Sequence, residues 1–254
     1  LDEVAEAGYW GTELGPYGYL PTDPANLSAA LEKRDLHLVG GVCVHPFSDP
    51  DSGGALLDHL RQAGSLLQKL GVKHYVVMDA GQEGSSHDLD ADRWRGMVRM
   101  LEEGRNLLGD TFGITFSFHP HVLTAVETEE QIDRLLQDSD IALCFDTGHH
   151  AFWGHDPLDY MERVWDRIAY MHLKNVDGAV RQKVLDGALD PAASFDQGAM
   201  CPLPDGVVDI AAVVRFLRER NFAGPVVVEQ DFSANATESA LALSRRNAEF
   251  LNGI

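Results

Sequence analysis

Ile141-Ala142-Leu143-Cys144-Phe145-Asp146-Thr147-Gly148-His149-His150 is the stretch that decides the fold of this chain. Five apolar residues, a strand's length, end on a carboxylate, and a glycine and two histidines follow at the start of a new pattern. The construction recurs. Ile114–Phe118 runs into His119, Ile168–Met171 into His172, and Val226–Val228 into Glu229. An ionisable group at the end of a buried strand is costly unless it is paired, capped or metal-bound. Four such groups at equivalent strand ends therefore describe both an architecture and a site.

Reading outward, short β-rich runs alternate with longer amphipathic stretches along the chain, the signature of βα units around a parallel sheet. Strands are predicted at 11–14, 37–44, 74–79, 114–119, 141–146, 168–173 and 225–229. Between them, Leu56, Leu57, Leu60, Ala63, Leu66, Leu67 and Leu70 keep apolar groups on one helical face. A further helix is predicted at 127–137, capped by Thr124 or Thr128 and buried through Ile132, Leu135 and Leu136. The expected fold is α/β, a (β/α)₈ barrel forming a single domain over residues 1–254, a length usual for that fold. Leu1, Val4 and Ala5 open the sequence inside a helical pattern, so the first strand is expected to lie upstream of it. Residues 176–206, with Asp177-Gly178, Asp190-Pro191, Pro202 and Pro204-Asp205-Gly206, read as a long loop.

Composition narrows the partners. Forty acidic residues against twenty Lys and Arg give a formal charge of −20, which repels phosphate backbones and anionic membranes; neither nucleic acid nor membrane is expected. No apolar run approaches a bilayer crossing, and the first residues lack the pattern of a signal peptide, so a cytoplasmic location is expected. Cys43, Cys144 and Cys201 have no CxxC spacing, which suggests neither a disulfide framework nor a thiolate zinc site, and Cys43 and Cys144, in apolar strand-like runs, read as small buried hydrophobes. Assembly as a homo-oligomer is compatible with this reading.

In a barrel, His119, Asp146, His172 and Glu229 converge at the C-terminal end of the axis, where two carboxylates and two imidazoles suit a divalent cation. A mixed nitrogen and oxygen set favours Mn²⁺, Co²⁺, Fe²⁺ or Zn²⁺ over Ca²⁺ or Mg²⁺. For any one of the four, a helix cap, a salt bridge or a satisfied core histidine is an equal reading. His121 and Lys174 stand two residues beyond His119 and His172, so they share a face if the extended backbone continues, which Pro120 puts in question for His121. Gly148 is expected to allow a sharp turn that brings His149 to the pocket rim, with His150 at a helix start and His155 in a loop. Glu13 ends the first strand as a catalytic or substrate-binding carboxylate or as a framework ion pair. His45 follows the second, 37–44, as a substrate contact or a loop residue.

Phe145-Asp146-Thr147-Gly148-His149, Met171-His172-Leu173-Lys174-Asn175 and Val227-Val228-Glu229-Gln230, in this order and spacing, resemble the sugar isomerase and epimerase superfamily built on the xylose-isomerase-like TIM barrel. The resemblance covers essentially the whole chain and implies metal ligands at His119, Asp146, His172 and Glu229. Many such isomerases carry a glutamate where this chain has His119. Phe118-His119-Pro120-His121 and Gly11-Thr12-Glu13-Leu14-Gly15-Pro16-Tyr17-Gly18-Tyr19-Leu20-Pro21 instead resemble the inosose dehydratase branch. Asn175, in place of an aspartate, and Gly198-Ala199-Met200-Cys201-Pro202, in place of a Gly-rich segment with a phenylalanine, depart from it.

What the resemblance implies is a lyase of inositol catabolism that uses Mn²⁺ or Co²⁺, with Zn²⁺ or Fe²⁺ as alternatives, to dehydrate a small keto-polyol such as scyllo-inosose. Glu13, His149 and Lys174 would be catalytic, and His45 and His121 would touch substrate. A sugar or hydroxypyruvate-type isomerase or epimerase with the same metal site is the alternative, and a non-catalytic polyol-binding protein is the reading from another class. The superfamily's apurinic endonucleases are opposed by the net charge.

Overall fold

In the computed structural model, residues 1–49, 51–81, 89–233 and 238–254 are described. The first half of the chain runs α1 (Asp2–Glu6), β1 (Gly11–Glu13), α2 (Pro24–Glu32), β2 (His37–His45), α3 (Gly53–Lys69), β3 (His74–Asp79), α4 (Ala91–Phe112), β4 (Thr115–Phe118) and α5 (Glu129–Asp138). It continues through β5 (Ala142–Asp146), α6 (Thr147–Phe152), α7 (Pro157–Arg163), β6 (Ile168–Leu173), β7 (Asn175–Val176), α8 (Gly178–Leu185) and α9 (Pro191–Asp196). β8 (Met200–Cys201), α10 (Ile210–Glu219), β9 (Val226–Val228) and α11 (Ala240–Asn252) complete it. All seven strands expected from the sequence are present. Two compact units divide these elements: one is Leu1 with Trp10–Cys144, the other Asp2–Tyr9 with Phe145–Ile254.

In the first unit the strand order is β1-β2-β3-β4-β5 and every pairing is parallel. Tyr75, Val76, Val77 and Phe118 are fully buried in its sheet, and Leu60 and Leu67 of α3 and Leu101 and Leu108 of α4 are fully buried over it. Each such side chain contributes roughly 1.5–3 kcal/mol by leaving water. Of the two candidate caps of α5, Thr128 is the cap: it forms a capping box with Gln131, whereas Thr124 donates to the His121 carbonyl at 2.8 Å. β1 slips register between Thr12 and Glu13, which turns Glu13 away from plain alternation.

In the second unit β6 pairs in parallel with β9, setting Met171, His172 and Leu173 opposite Val226, Val227 and Val228. The helix expected at the opening of the chain is α1, tied to α11 by the Tyr9 hydroxyl donating to the Ser244 carbonyl at 3.2 Å and by the Arg245–Glu6 ion pair at 2.6 Å. Residues 176–206 correct the expectation of a long loop. Asp177-Gly178 and Asp190-Pro191, read as turns, are helix starts. Asp177 accepts from the Ala179 and Val180 amides, and Asp190 accepts from Ala193 with Pro191 in the first turn. β7 and β8 then close the excursion as an antiparallel pair. Among the described residues, no helix is long and apolar enough to cross a membrane.

Candidate metal centre and active site

The second unit gathers five of the predicted site residues. Asp146 ends β5 and caps α6, its Oδ1 accepting from the Gly148 and His149 amides at 2.8 Å each. A cap and a ligand are therefore compatible here. While Oδ1 serves the helix, Oδ2 faces His172 Nδ1 at 3.9 Å and Lys174 Nζ at 3.8 Å. His172 is held by β6, and Glu229 by its backbone amide, which donates to the Leu173 carbonyl at 3.1 Å one residue beyond β9. Its Oε2 lies 2.9 Å from His172 Nδ1. One ligand atom from each of Asp146, His172 and Glu229 thus falls within 4.8 Å of the others. Two carboxylate oxygens and an imidazole nitrogen at that spacing are a donor set for a divalent first-row cation. The residues present fit such an ion.

Lys174 is almost wholly buried, 1% exposed, beside this triad. Nζ lies 3.2 Å from Glu229 Oε2, 3.0 Å from Asp231 Oδ2 and 2.8 Å from His149 Nε2. Burial works against the charge on Lys174, but Asp146, Glu229 and Asp231 outweigh it and raise its pKa above the ordinary lysine value. It is an ammonium. It therefore donates to His149 Nε2, which leaves the ring proton of neutral His149 on Nδ1. Burial drives Asp146 the other way for a carboxyl, up to about 6, with Glu229 adding to the rise while Lys174 and His172 oppose it.

Backbone geometry fixes the lysine. Thr147 Oγ1 donates to the Lys174 carbonyl at 2.7 Å and accepts from its amide at 3.0 Å. Gly148 matters through space and not, as the sequence suggested, through a sharp turn: it lies in the first turn of α6, and a Cβ there would sit 2.7 Å from Lys174 Cγ. Without that close approach the ammonium would be displaced. His150 packs between Phe145 and Tyr160, with ring centroids at 5.1 and 4.9 Å, and burial pushes its pKa down to about 3.

The first unit carries the other predicted residues. His119 follows β4, is buried, and donates its amide to the Val77 carbonyl at 2.8 Å. β4 ends before Pro120, so His121 does not continue the strand; it lies in a turn with Nδ1 2.7 Å from the Val122 carbonyl, which puts its proton on Nδ1. His45 is the last residue of β2 and no loop residue, buried, with Nε2 2.9 Å from Ser52 Oγ. Burial, aided by His59 and opposed by Asp49, lowers its pKa and favours the neutral ring. Glu13 ends β1, half-buried.

Two residues escaped the sequence reading though its own rules reach them. Asp231 stands two positions beyond Glu229, the spacing that singled out Lys174 beyond His172. Asp79 ends β3 as Asp146 ends β5.

A sequence model described as xylose isomerase-like TIM barrel matches residues 1–252. The rhizopine catabolism protein MocC of Rhizobium meliloti is 32% identical over 251 residues, 92% of this chain and 74% of that protein. An inosose dehydratase of Geobacillus kaustophilus is 30% identical over 245 residues, covering 91% and 79%. Among solved structures, that of the IOLI protein with a bound zinc atom superposes with a TM-score of 0.75 at 17% identity, over 99% of this chain and 90% of that one, a likeness of fold.

Proposed function

Because the chain belongs to the xylose isomerase-like TIM barrel family, in its inosose dehydratase branch of hydro-lyases, we propose that it removes water from a keto-inositol, converting scyllo-inosose to a trihydroxycyclohexanedione in inositol catabolism. The observation that carries this reading is the meeting of Asp146, His172 and Glu229 within 4.8 Å beside a buried ammonium. In the proposal these three hold a divalent ion, and His119, which follows β4, is the fourth ligand that the family resemblance implies. Mn²⁺ or Co²⁺ suits the donor set best, with Zn²⁺ or Fe²⁺ as alternatives. Bound there, the cation supplies Lewis acidity toward the carbonyl oxygen of the substrate.

The protein's own groups do the rest. Lys174 offers a fixed positive charge to an oxygen that gains electron density as the α-proton leaves. Glu13 and His149 share the two proton transfers: one takes the proton from the carbon next to the carbonyl, the other protonates the β-hydroxyl as its bond to carbon breaks. One water departs, a carbon–carbon double bond forms, and the resulting enol tautomerises to the dione. The 2.8 Å contact with Lys174 supports His149 in this role, because the ammonium fixes both its tautomer and its ring orientation. His45 and His121 contact the polyol hydroxyls.

Metal analysis of the purified protein, followed by incubation with scyllo-inosose and mass spectrometry, tests the proposal. Stoichiometric metal with a product lighter by one water supports it. A product of unchanged mass would replace it by isomerisation or epimerisation at the same site, and binding of the inosose without any product by a polyol-binding role.

A further inference from the structure

Asp79 is buried at the end of β3, and its carboxylate serves backbone amides. Oδ1 accepts from the Phe47 amide at 3.1 Å and Oδ2 from the Ala125 amide at 3.2 Å. Burial raises the pKa of this carboxyl, and these two amides with those of Ala80 and Gly81 oppose the rise. The four amides come from three loops, those that follow β2, β3 and β4. The two residues that follow Asp79 also touch the end of β2 and the loop after β4. The Ala80 amide donates to the His45 carbonyl at 2.9 Å, and Gly81, at φ +68°, lies so near the Leu123 carbonyl that a Cβ would come within 2.6 Å of it. His45 leads into the first of these loops, where its ring centroid is 5.0 Å from that of Phe47. His121 lies in the third, its carbonyl held by Thr124 and its ring by the Val122 carbonyl.

An ionised carboxylate accepts on both oxygens and presents no proton to either loop. Asparagine, of nearly the same shape, would turn an N–H toward one of the two amides. The chemistry of the residue, and not only its volume, is therefore matched to joining two loops.

We propose that Asp79 is a positioning residue whose carboxylate locks the loops after β2 and β4 to each other, so that His45 and His121 face the substrate as one preorganised element. The inference rests on the proposed function in assigning substrate contact to those two histidines. Its structural half does not.

The test is Asp79→Asn in the full chain, read by amide hydrogen exchange and by steady-state kinetics. Exchange over 45–49 and 121–126 is expected to rise together by about tenfold while 115–118 stays protected, because the lost acceptor acts on the loops and not on the strand. KM for scyllo-inosose is expected to rise about tenfold with kcat within about threefold, the pattern of impaired substrate positioning. Unchanged exchange in both loops, or a fall in active fraction at constant KM, would overturn the proposal. Exchange needs no substrate, so it decides the role of Asp79 even if scyllo-inosose proves not to be turned over. Should the variant fail to fold, the wild type carries the test. Phe47 and Ala125 share one acceptor and are expected to open together, with protection factors within about threefold of each other; protection of one without the other would overturn the lock.

Discussion

His149 Nε2 lies 2.8 Å from Lys174 Nζ, and the same ammonium is held 3.0 Å from Asp231 Oδ2. One buried cation thereby sets the tautomer of a proposed acid–base group while balancing Asp146 and Glu229. Lys174→Met removes that balance. Breaking a buried ion pair from one side costs about 3 kcal/mol, so the metal-free variant is expected to melt about 10 °C lower. A saturating divalent ion should restore part of this loss, because it replaces the missing positive charge, while turnover stays at least about a hundredfold down. Thermal scans with and without Mn²⁺ read the first effect; equal losses in both would refute it.

Asp146→Asn and Glu229→Gln are each expected to abolish stoichiometric metal on elemental analysis. In the wild type, metal should raise the melting temperature by mass action. The sign of the pH effect follows from Asp146. Its pKa in the metal-free fold, about 6, lies above the unfolded carboxyl value, so this group's stabilising contribution is present in acid and is lost as pH rises through 6. Metal binding opposes that loss by taking the ionised form. Affinity should fall as pH drops below about 6 and a proton competes for the site, and titration calorimetry at several pH values would detect a flat profile if the assignment is wrong.

Gly148→Ala places a methyl 2.7 Å from Lys174 Cγ in the first turn of α6. Overpacking of this kind costs about 1–3 kcal/mol, and turnover should fall at least about tenfold as the ammonium shifts. Gly109→Ala is the control. Nothing lies within 4 Å of a Cβ at that helical position, so the same change should stabilise by roughly 0.5–1 kcal/mol. Denaturant midpoints for the two variants should move in opposite directions.

His150 is neutral in the fold, its pKa pushed down to about 3 by burial between aromatic rings. Its folded pKa lies below the unfolded value, so the unfolded chain binds the extra proton first. Stability is lost as pH falls from about 6.5 toward 3, at up to about 1.4 kcal/mol per pH unit. His150→Phe keeps the ring and removes the titration, and its denaturation midpoint should depend less on pH across that window. An unchanged slope would refute the assignment.

Asn175 donates through Nδ2 to the Leu203 and Val208 carbonyls at 2.7 and 3.0 Å and accepts through Oδ1 from the Val176 and Val208 amides. Asn175→Asp would set a carboxylate oxygen against two carbonyls in a fully buried position. A loss of about 2–3 kcal/mol is expected from the unmet acceptors, and limited proteolysis should then cut within 200–208 before the strands.

The alternation of strand and helix was legible because burial on both faces writes a parallel strand as a short apolar run, whatever its neighbours. For the same reason the ligand candidates stood out: Asp146, His172 and Glu229 are polar where the pattern demands apolar. Asp79 satisfies that rule equally well, yet its oxygens accept from the Phe47 and Ala125 amides. A strand-end carboxylate looks alike in sequence whether its oxygens meet an ammonium, a metal or backbone amides.

What the sequence by itself determined is local and periodic: the seven strands, the helices between them, the family motifs and the residue types available for chemistry. What only the tertiary structure decided is which atom of each residue faces what. Asp146 gives one oxygen to a helix and the other to His172, Gly148 makes room for Lys174, Asp231 joins the ammonium, and the excursion at 176–206 folds into helices capped by Asp177 and Asp190. The caps lie within three residues of the amides they serve, but the Asp146–His172, Gly148–Lys174 and Asp231–Lys174 contacts join segments far apart in the chain. A side chain's partners are set by the packing that brings them within hydrogen-bond distance, and no periodicity in the residues records that.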